Sequence, residues 1–202
     1  MRIREGRAAP GKRGGRRGRV REGERGVGGA GERRGGRIGG VVGIEHTEIT
    51  AGLWHLRVPR VTEAGEVVAL AGDGETARWS AALPKDEEGA VAWLVERAVW
   101  EGQVTFSILE SVTERWAGHV SVDGLDTADP VVVCRVAPWA RGRSAATTAV
   151  RCVTGWASAV LDVPRLTLAH AADDVAACRV AAKCGYALTS ATPSTHLHIH
   201  TP

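Results

Sequence analysis

An α+β domain is the fold class that this 202-residue chain predicts, and three observations predict it. Val131-Val132-Val133-Cys134-Arg135-Val136 is a β-branched apolar run held between Asp129-Pro130 and Pro138, the pattern of a buried strand. Behind it Ala146, Val150, Val153, Ala157, Val160 and Leu161 recur at spacings of three and four, the stripe of an amphipathic helix. Ahead of it the apolar runs of residues 104–109 and 116–122, joined by a polar turn at residues 111–114, read as a hairpin.

The turn between strand and helix carries the chemistry. Ala137-Pro138-Trp139-Ala140-Arg141-Gly142-Arg143-Ser144-Ala145-Ala146 puts glycine and two arginines immediately before a helix start. The first-turn amides of a helix have no intrahelical partners, and the macrodipole adds partial positive charge there. Such a turn suits a phosphate or pyrophosphate. A solvated loop explains the same short motif, so the turn alone does not decide.

The other elements follow in order. Trp54-His55-Leu56-Arg57-Val58 alternates as a half-buried strand ended by Pro59. Residues 62–71 read as a helix with Thr62 as N-cap, broken by Asp73-Gly74. A second helix is expected over residues 85–100, with Asp86, Glu87 and Glu88 at its positive end and Ala90, Val91, Leu94 and Ala98 toward the core. Trp93 and Trp100 read as packing or cleft-lining residues. Residues 165–170 form a further strand, residues 174–186 a short helix closed by Gly185, and the chain ends in the alternating His196-Leu197-His198-Ile199-His200.

Those three histidines share one strand face, a spacing that can bind a metal. An exposed edge strand at a terminus is the commoner explanation, and no metal site is expected. Cys134, Cys152, Cys178 and Cys184 form no Cys-x-x-Cys pair and read as reduced packing residues of a cytoplasmic protein.

Charge divides the chain. Residues 1–40 hold thirteen Lys or Arg against four Glu, whereas the remainder carries thirteen against nineteen acids. With fifteen of the 26 glycines by Gly43 and few large apolar residues, residues 1–42 should be disordered, leaving a domain over residues 52–202. The tail suits a salt-sensitive nucleic-acid-binding arm, but it lacks interleaved Phe or Tyr for stacking, and an unstructured leader is preferred. No apolar segment marks a secretory signal, and no run of about 20 apolar residues marks a membrane span.

The turn and the segment Asp174-Val175-Ala176-Ala177-Cys178-Arg179-Val180-Ala181-Ala182-Lys183-Cys184-Gly185-Tyr186 together resemble the GNAT superfamily of acetyl-CoA-dependent N-acetyltransferases, in its ribosomal-protein N-terminal branch. The family's loop Arg/Gln-x-x-Gly-x-Gly/Ala appears as Arg141-x-x-Ser144-x-Ala146. Its signature Asn-x-x-Ser-Cys-Arg-Val-Ala-x-Lys-x-Gly-Phe is matched over residues 174–186. The likeness covers about residues 52–190.

The resemblance implies a three-layer fold: a mixed, mostly antiparallel sheet with helices on both faces, opened into a V between two parallel strands. Acetyl-CoA would enter as co-substrate, with its pyrophosphate on Arg141, Gly142, Arg143, Ser144, Ala145 and Ala146. Its pantetheine arm would lie along Val133, Cys134, Arg135 and Val136, and Lys183 is carried over as a further contact. The acceptor would be a small amine or a peptide N-terminus, attacking the thioester directly. This chain departs from the family pattern at several positions. Val131 stands where relatives have a Glu base, Asp174 and Ala177 replace Asn and Ser, Ala181 stands at a Tyr position and Ser144 replaces glycine. His119 and Asp174 are the leading substitutes for catalysis, with Glu110, Asp126 and His170 behind them. The alternatives are a relative that binds acyl-CoA without turnover and an RNA-binding protein acting through the tail. Oligomeric state is not legible.

Overall fold

The structure is a computed structural model that describes residues 2–4, 47–79 and 83–201. Its strands are β1 (Arg2–Arg4), β2 (Glu48–Ala51), β3 (Trp54–Arg57), β4 (Gln103–Glu110), β5 (Trp116–Asp123), β6 (Val131–Val136), β7 (Leu166–Ala171), β8 (Ala187–Ala191) and β9 (Thr195–His200). They form one sheet in the order β1-β2-β3-β4-β5-β6-β7-β9-β8. All pairs are antiparallel except β6 with β7. The helices are α1 (Ala64–Gly72), α2 (Gly74–Trp79), α3 (Glu87–Ala98), α4 (Ala145–Val160) and α5 (Val175–Lys183).

Alternation along the strands sorts the two layers. Val120, Val122 and Val132 point to the face covered by α4, where Val150, Val153, Trp156 and Ala157 complete the main core. Trp156 meets Phe106 and Trp100 edge-on, with centroids 5.3 and 5.6 Å away. His119 points the other way, to Trp93 of α3. On that face Val67, Leu70, Ala90 and Leu94 pack with Trp116 and Ala137 as a second cluster. The mixed sheet with helices on both faces is the three-layer α+β architecture expected.

Several elements differ in detail from the sequence reading. Thr62 is not a cap. Val61–Glu63 forms a 3-10 turn, and the Glu63 carboxylate reaches back to accept from the Arg60 N–H at 3.3 Å. Asp86 caps α3 by accepting from Gly89 N at 2.8 Å, and the helix ends at Ala98 because Val99 turns extended. Val91 is 37% exposed; along α4 the expected Val150, Val153 and Ala157 are buried and are joined by Ala145, Ala149 and Trp156, while Val160 is exposed.

The ends of the sheet also differ. β9 is not an edge strand. It lies between β7 and β8, because the return of β8 covers its other side. Glu48–Ala51 joins the sheet ahead of residue 52. Arg2–Arg4, expected to be unstructured with the rest of the tail, pairs with the free edge of β2 through backbone hydrogen bonds that any sequence can supply. The expectations for residues 5–46 lie outside the described residues.

Candidate active site

β6 and β7 touch at one point and then part. A single register pair, Val131 with Thr167, joins them, supported by the Thr167 N–H donating to Pro130 O at 2.8 Å. At the far end of β6 the Ala137 N–H donates to Ala117 O on the β5 side, also at 2.8 Å. Backbone groups alternate sides along a strand. Val133 and Arg135 therefore turn their N–H and C=O to β5, while Cys134 and Val136 turn theirs into the gap. Of the four strand residues expected to line the cofactor, these two carry the open backbone edge.

A close approach on the other side of β6 fixes that edge. Gly118 of β5 has φ of +142°, and a Cβ there would lie 2.1 Å from Arg135 O. Only glycine lets the two backbones meet this closely.

The turn after β6 is a 3-10 turn at Pro138–Ala140, followed by Gly142 at φ +72° and Ser144 at φ +65°. Ser144 thus occupies the left-handed conformation that glycine adopts freely, and its hydroxyl does not cap α4. The first backbone bond of the helix is from Thr148 N–H to Ser144 O at 2.9 Å, so the amides of Ala145, Ala146 and Thr147 lie ahead of the ladder. Ala145 is buried and Gly142, Arg143 and Ser144 are exposed.

Both arginines of the turn already have protein partners. Arg141 forms an ion pair with Asp73, a second with Glu75 at 2.9 Å, and donates to Thr76 Oγ1 at 3.1 Å. Its guanidinium holds the Asp73 carboxyl down at about 2. Arg143 pairs with Glu110 at 2.6 Å and lies over Trp54 and Trp139. Glu110 is thereby tied to the turn. Lys183 is exposed at the end of α5, where its carbonyl accepts from Arg151 at 2.9 Å. Next to it the Cys184 thiol donates to Thr147 O at 3.4 Å and binds α5 to the first turn of α4.

The two candidate catalytic residues are engaged in structure. His119 is 2% exposed, and its Nε2 lies 3.1 Å from Arg135 Nη1. A guanidinium only donates, so Nε2 accepts and Nδ1 carries the hydrogen, buried without a partner. Burial, then Arg135 and Arg97, push His119 down to about 3. Its basic lone pair is occupied, so it cannot take a proton from an amine in this arrangement. Asp174 caps α5, accepting from Ala177 N at 2.8 Å. His170 faces the α5 side of β7, with His198, rather than the gap. Asp126 lies in the turn between β5 and β6.

Sequence reasoning missed a polar row beneath α1 and α3. Arg57, Ser107, His119 and Arg135 are opposite one another on four successive strands. Glu63 closes the row from above. It pairs with Arg57 at 2.7 Å and accepts from the Ser107 hydroxyl. Arg97 adds an ion pair to Asp123 at 2.5 Å. The alternation of Arg57 with Leu56 and of Ser107 with Phe106 and Ile108 was visible, but the pairing that aligns them was not.

Taken together, the open edge at Cys134 and Val136 continues into a run of unpaired amides at a helix start. An extended chain bearing a phosphate fits this arrangement. The fold that carries it is similar to those of solved acetyltransferases. The ribosomal-protein-S5-alanine acetyltransferase of Vibrio fischeri superposes with a TM-score of 0.65 at 14% identity, covering 76% of this chain and 96% of that one. A microcin C7 self-immunity acetyltransferase, solved with acetyl-CoA and AMP, gives 0.64 at 13%, covering 75% and 94%. The dodecameric spermidine N-acetyltransferase of Vibrio cholerae gives 0.63 at 11%, covering 75% and 95%. No curated protein sequence matches. Among the described residues no helix is long and apolar enough to cross a membrane. The acetyltransferase (GNAT) domain family matches residues 54–187, two thirds of the chain and the span from β3 to β8, and the chain belongs to that family of acyl-transferring enzymes.

Proposed function

We propose that this protein transfers the acetyl group of acetyl-CoA to a primary amine, either a peptide N-terminus or a small molecule. The observation that carries the reading is the parting of β6 from β7 directly ahead of the α4 start. Acetyl-CoA supplies a thioester open to attack by a neutral amine.

The chain's own groups would act as follows. The amides of Gly142, Ser144, Ala145 and Ala146 receive the pyrophosphate, assisted by the α4 dipole. The Cys134 and Val136 backbone pairs with the extended pantetheine arm, and one of its N–H groups faces the developing oxyanion. Arg141 positions the turn through Asp73, Glu75 and Thr76 rather than reaching for phosphate. An α-amino group has an ordinary pKa near about 8, so a useful fraction is neutral at physiological pH and positioning supplies much of the rate. His119 and Asp174 serve the fold and not proton transfer.

Calorimetric titration of acetyl-CoA into the full chain, followed by thiol release with N-terminal peptides and polyamines, tests this. Micromolar binding with CoA release on one acceptor class is expected. Binding without release on any amine would point to a binder without turnover, and no binding would overturn the proposal.

A further inference from the structure

Four metal-ligating side chains gather on the far side of β7 from the gap. The β7–β9 register sets His170 opposite His196 and Leu168 opposite His198, so the three imidazoles share the sheet face that α5 covers. Cys178 descends onto them from α5. One donor atom from each of His170, Cys178, His196 and His198 lies within 4.8 Å of all the others.

The hydrogen bonds around two of the rings point their lone pairs at one another. His170 Nδ1 is 2.8 Å from Ala171 O, and His198 Nδ1 is 3.4 Å from Tyr186 O. Carbonyl oxygens only accept, so each Nδ1 carries its hydrogen and each neutral ring leaves Nε2 as an acceptor. Those two Nε2 atoms face each other at 3.1 Å. Two acceptors at that distance repel unless a cation stands between them. His198 is 2% exposed, so little water reaches its side of the contact. His196 Nδ1 is likewise buried without a hydrogen-bond partner.

We infer that His170, His196, His198 and Cys178 bind a zinc ion. A tetrahedral zinc with bonds of about 2.0 Å to nitrogen sets neighbouring nitrogens about 3.3 Å apart, close to the His170–His198 spacing. The carbonyl bonds on the two Nδ1 atoms are the outer partners that orient ligating imidazoles. Three imidazoles and one thiolate are a borderline-soft set suited to zinc. All four positions come from protein, so the ion is structural and leaves no site for substrate. It joins β7, β9 and α5, and so braces the strand that forms one wall of the gap. Binding displaces the Cys178 proton to solvent. His200 is not a ligand: it lies against Tyr186, with centroids 5.2 Å apart. This inference does not depend on the acetyl-transfer reading.

The full chain, stripped with chelator and dialysed, is titrated with zinc in competition with a chromophoric chelator, and in parallel with cobalt(II). One equivalent of zinc, the strong visible absorption of tetrahedral cobalt and a near-ultraviolet thiolate-to-cobalt band are expected. Cys178→Ser should abolish the thiolate band, and His170→Gln or His196→Gln should weaken zinc binding about 100-fold or more. Circular dichroism of each variant distinguishes lost binding from lost folding. The thermal midpoint of the unaltered chain should rise with zinc. Absence of a stoichiometric site, or zinc binding unchanged in a folded Cys178→Ser/His196→Gln double variant, would overturn the inference.

Discussion

Arg135 Nη1 donates to His119 Nε2 at 3.1 Å across the β5–β6 register, at the strand that borders the gap. The bond fixes the imidazole tautomer and occupies the one lone pair that a base would need. His119 is thereby a neutral hydrogen-bond acceptor within the polar row of the sheet.

Acid should weaken the fold through His119. His119 is pushed down to about 3 in the fold, whereas the unfolded chain protonates it near 6.5. Between those values the unfolded state binds more protons, so this group makes stability fall as pH drops below about 6.5 and contributes no slope above it. Urea unfolding from pH 7 to pH 4 should show a decline of up to about 1.4 kcal/mol per pH unit from this group. His119→Gln should flatten that decline while the pH profile of kcat/KM stays in place. A profile that moves with the substitution would return His119 to a catalytic role.

At Gly118 a methyl group has nowhere to go. Its Cβ would lie 2.1 Å from Arg135 O at a φ of +142°. Gly118→Ala should lower unfolding free energy by about 2–4 kcal/mol in denaturant titration and weaken acetyl-CoA binding by displacing β6. A loss under about 1 kcal/mol would mean that β5 and β6 separate readily there.

Ser144 sits at φ +65° with a hydroxyl that does not cap α4. Glycine relieves the left-handed strain, so Ser144→Gly should stabilise the protein by about 0.5–1 kcal/mol. Acetyl-CoA affinity should hold or rise. Weaker binding in the glycine variant would show that the hydroxyl itself contacts phosphate.

Asp73 separates two roles for Arg141. The guanidinium is bound to Asp73, Glu75 and Thr76, which moors the turn to the junction of α1 and α2. Asp73→Asn should therefore raise KM for acetyl-CoA several-fold with kcat little changed. An unchanged or lower KM would mean that Arg141 is freed to reach phosphate.

Much of the site was legible because it is local. The β-branched run Val131–Val136, the glycine-bearing turn and the 3.6-residue stripe behind it specify strand, turn and helix within thirty residues. Asp174 as a cap follows from its place before an apolar helix. The placement of Val91 and Val160 on buried faces failed, because periodicity fixes a stripe and not which large side chain turns the helix inward.

The sequence by itself determined the order of elements and the amide-rich turn, since periodicity, proline and glycine act over a few residues. Only the tertiary structure decided which partner each of these meets. β9 left the edge because β8 pairs with its outer side, and three histidines and a cysteine from three elements converged beneath α5. Arg57, Ser107, His119 and Arg135 lined up through registers between strands distant in sequence. The V itself exists because β6 turns to β5 at Ala137 while β7 follows β9, a choice between sheet partners that no local pattern encodes.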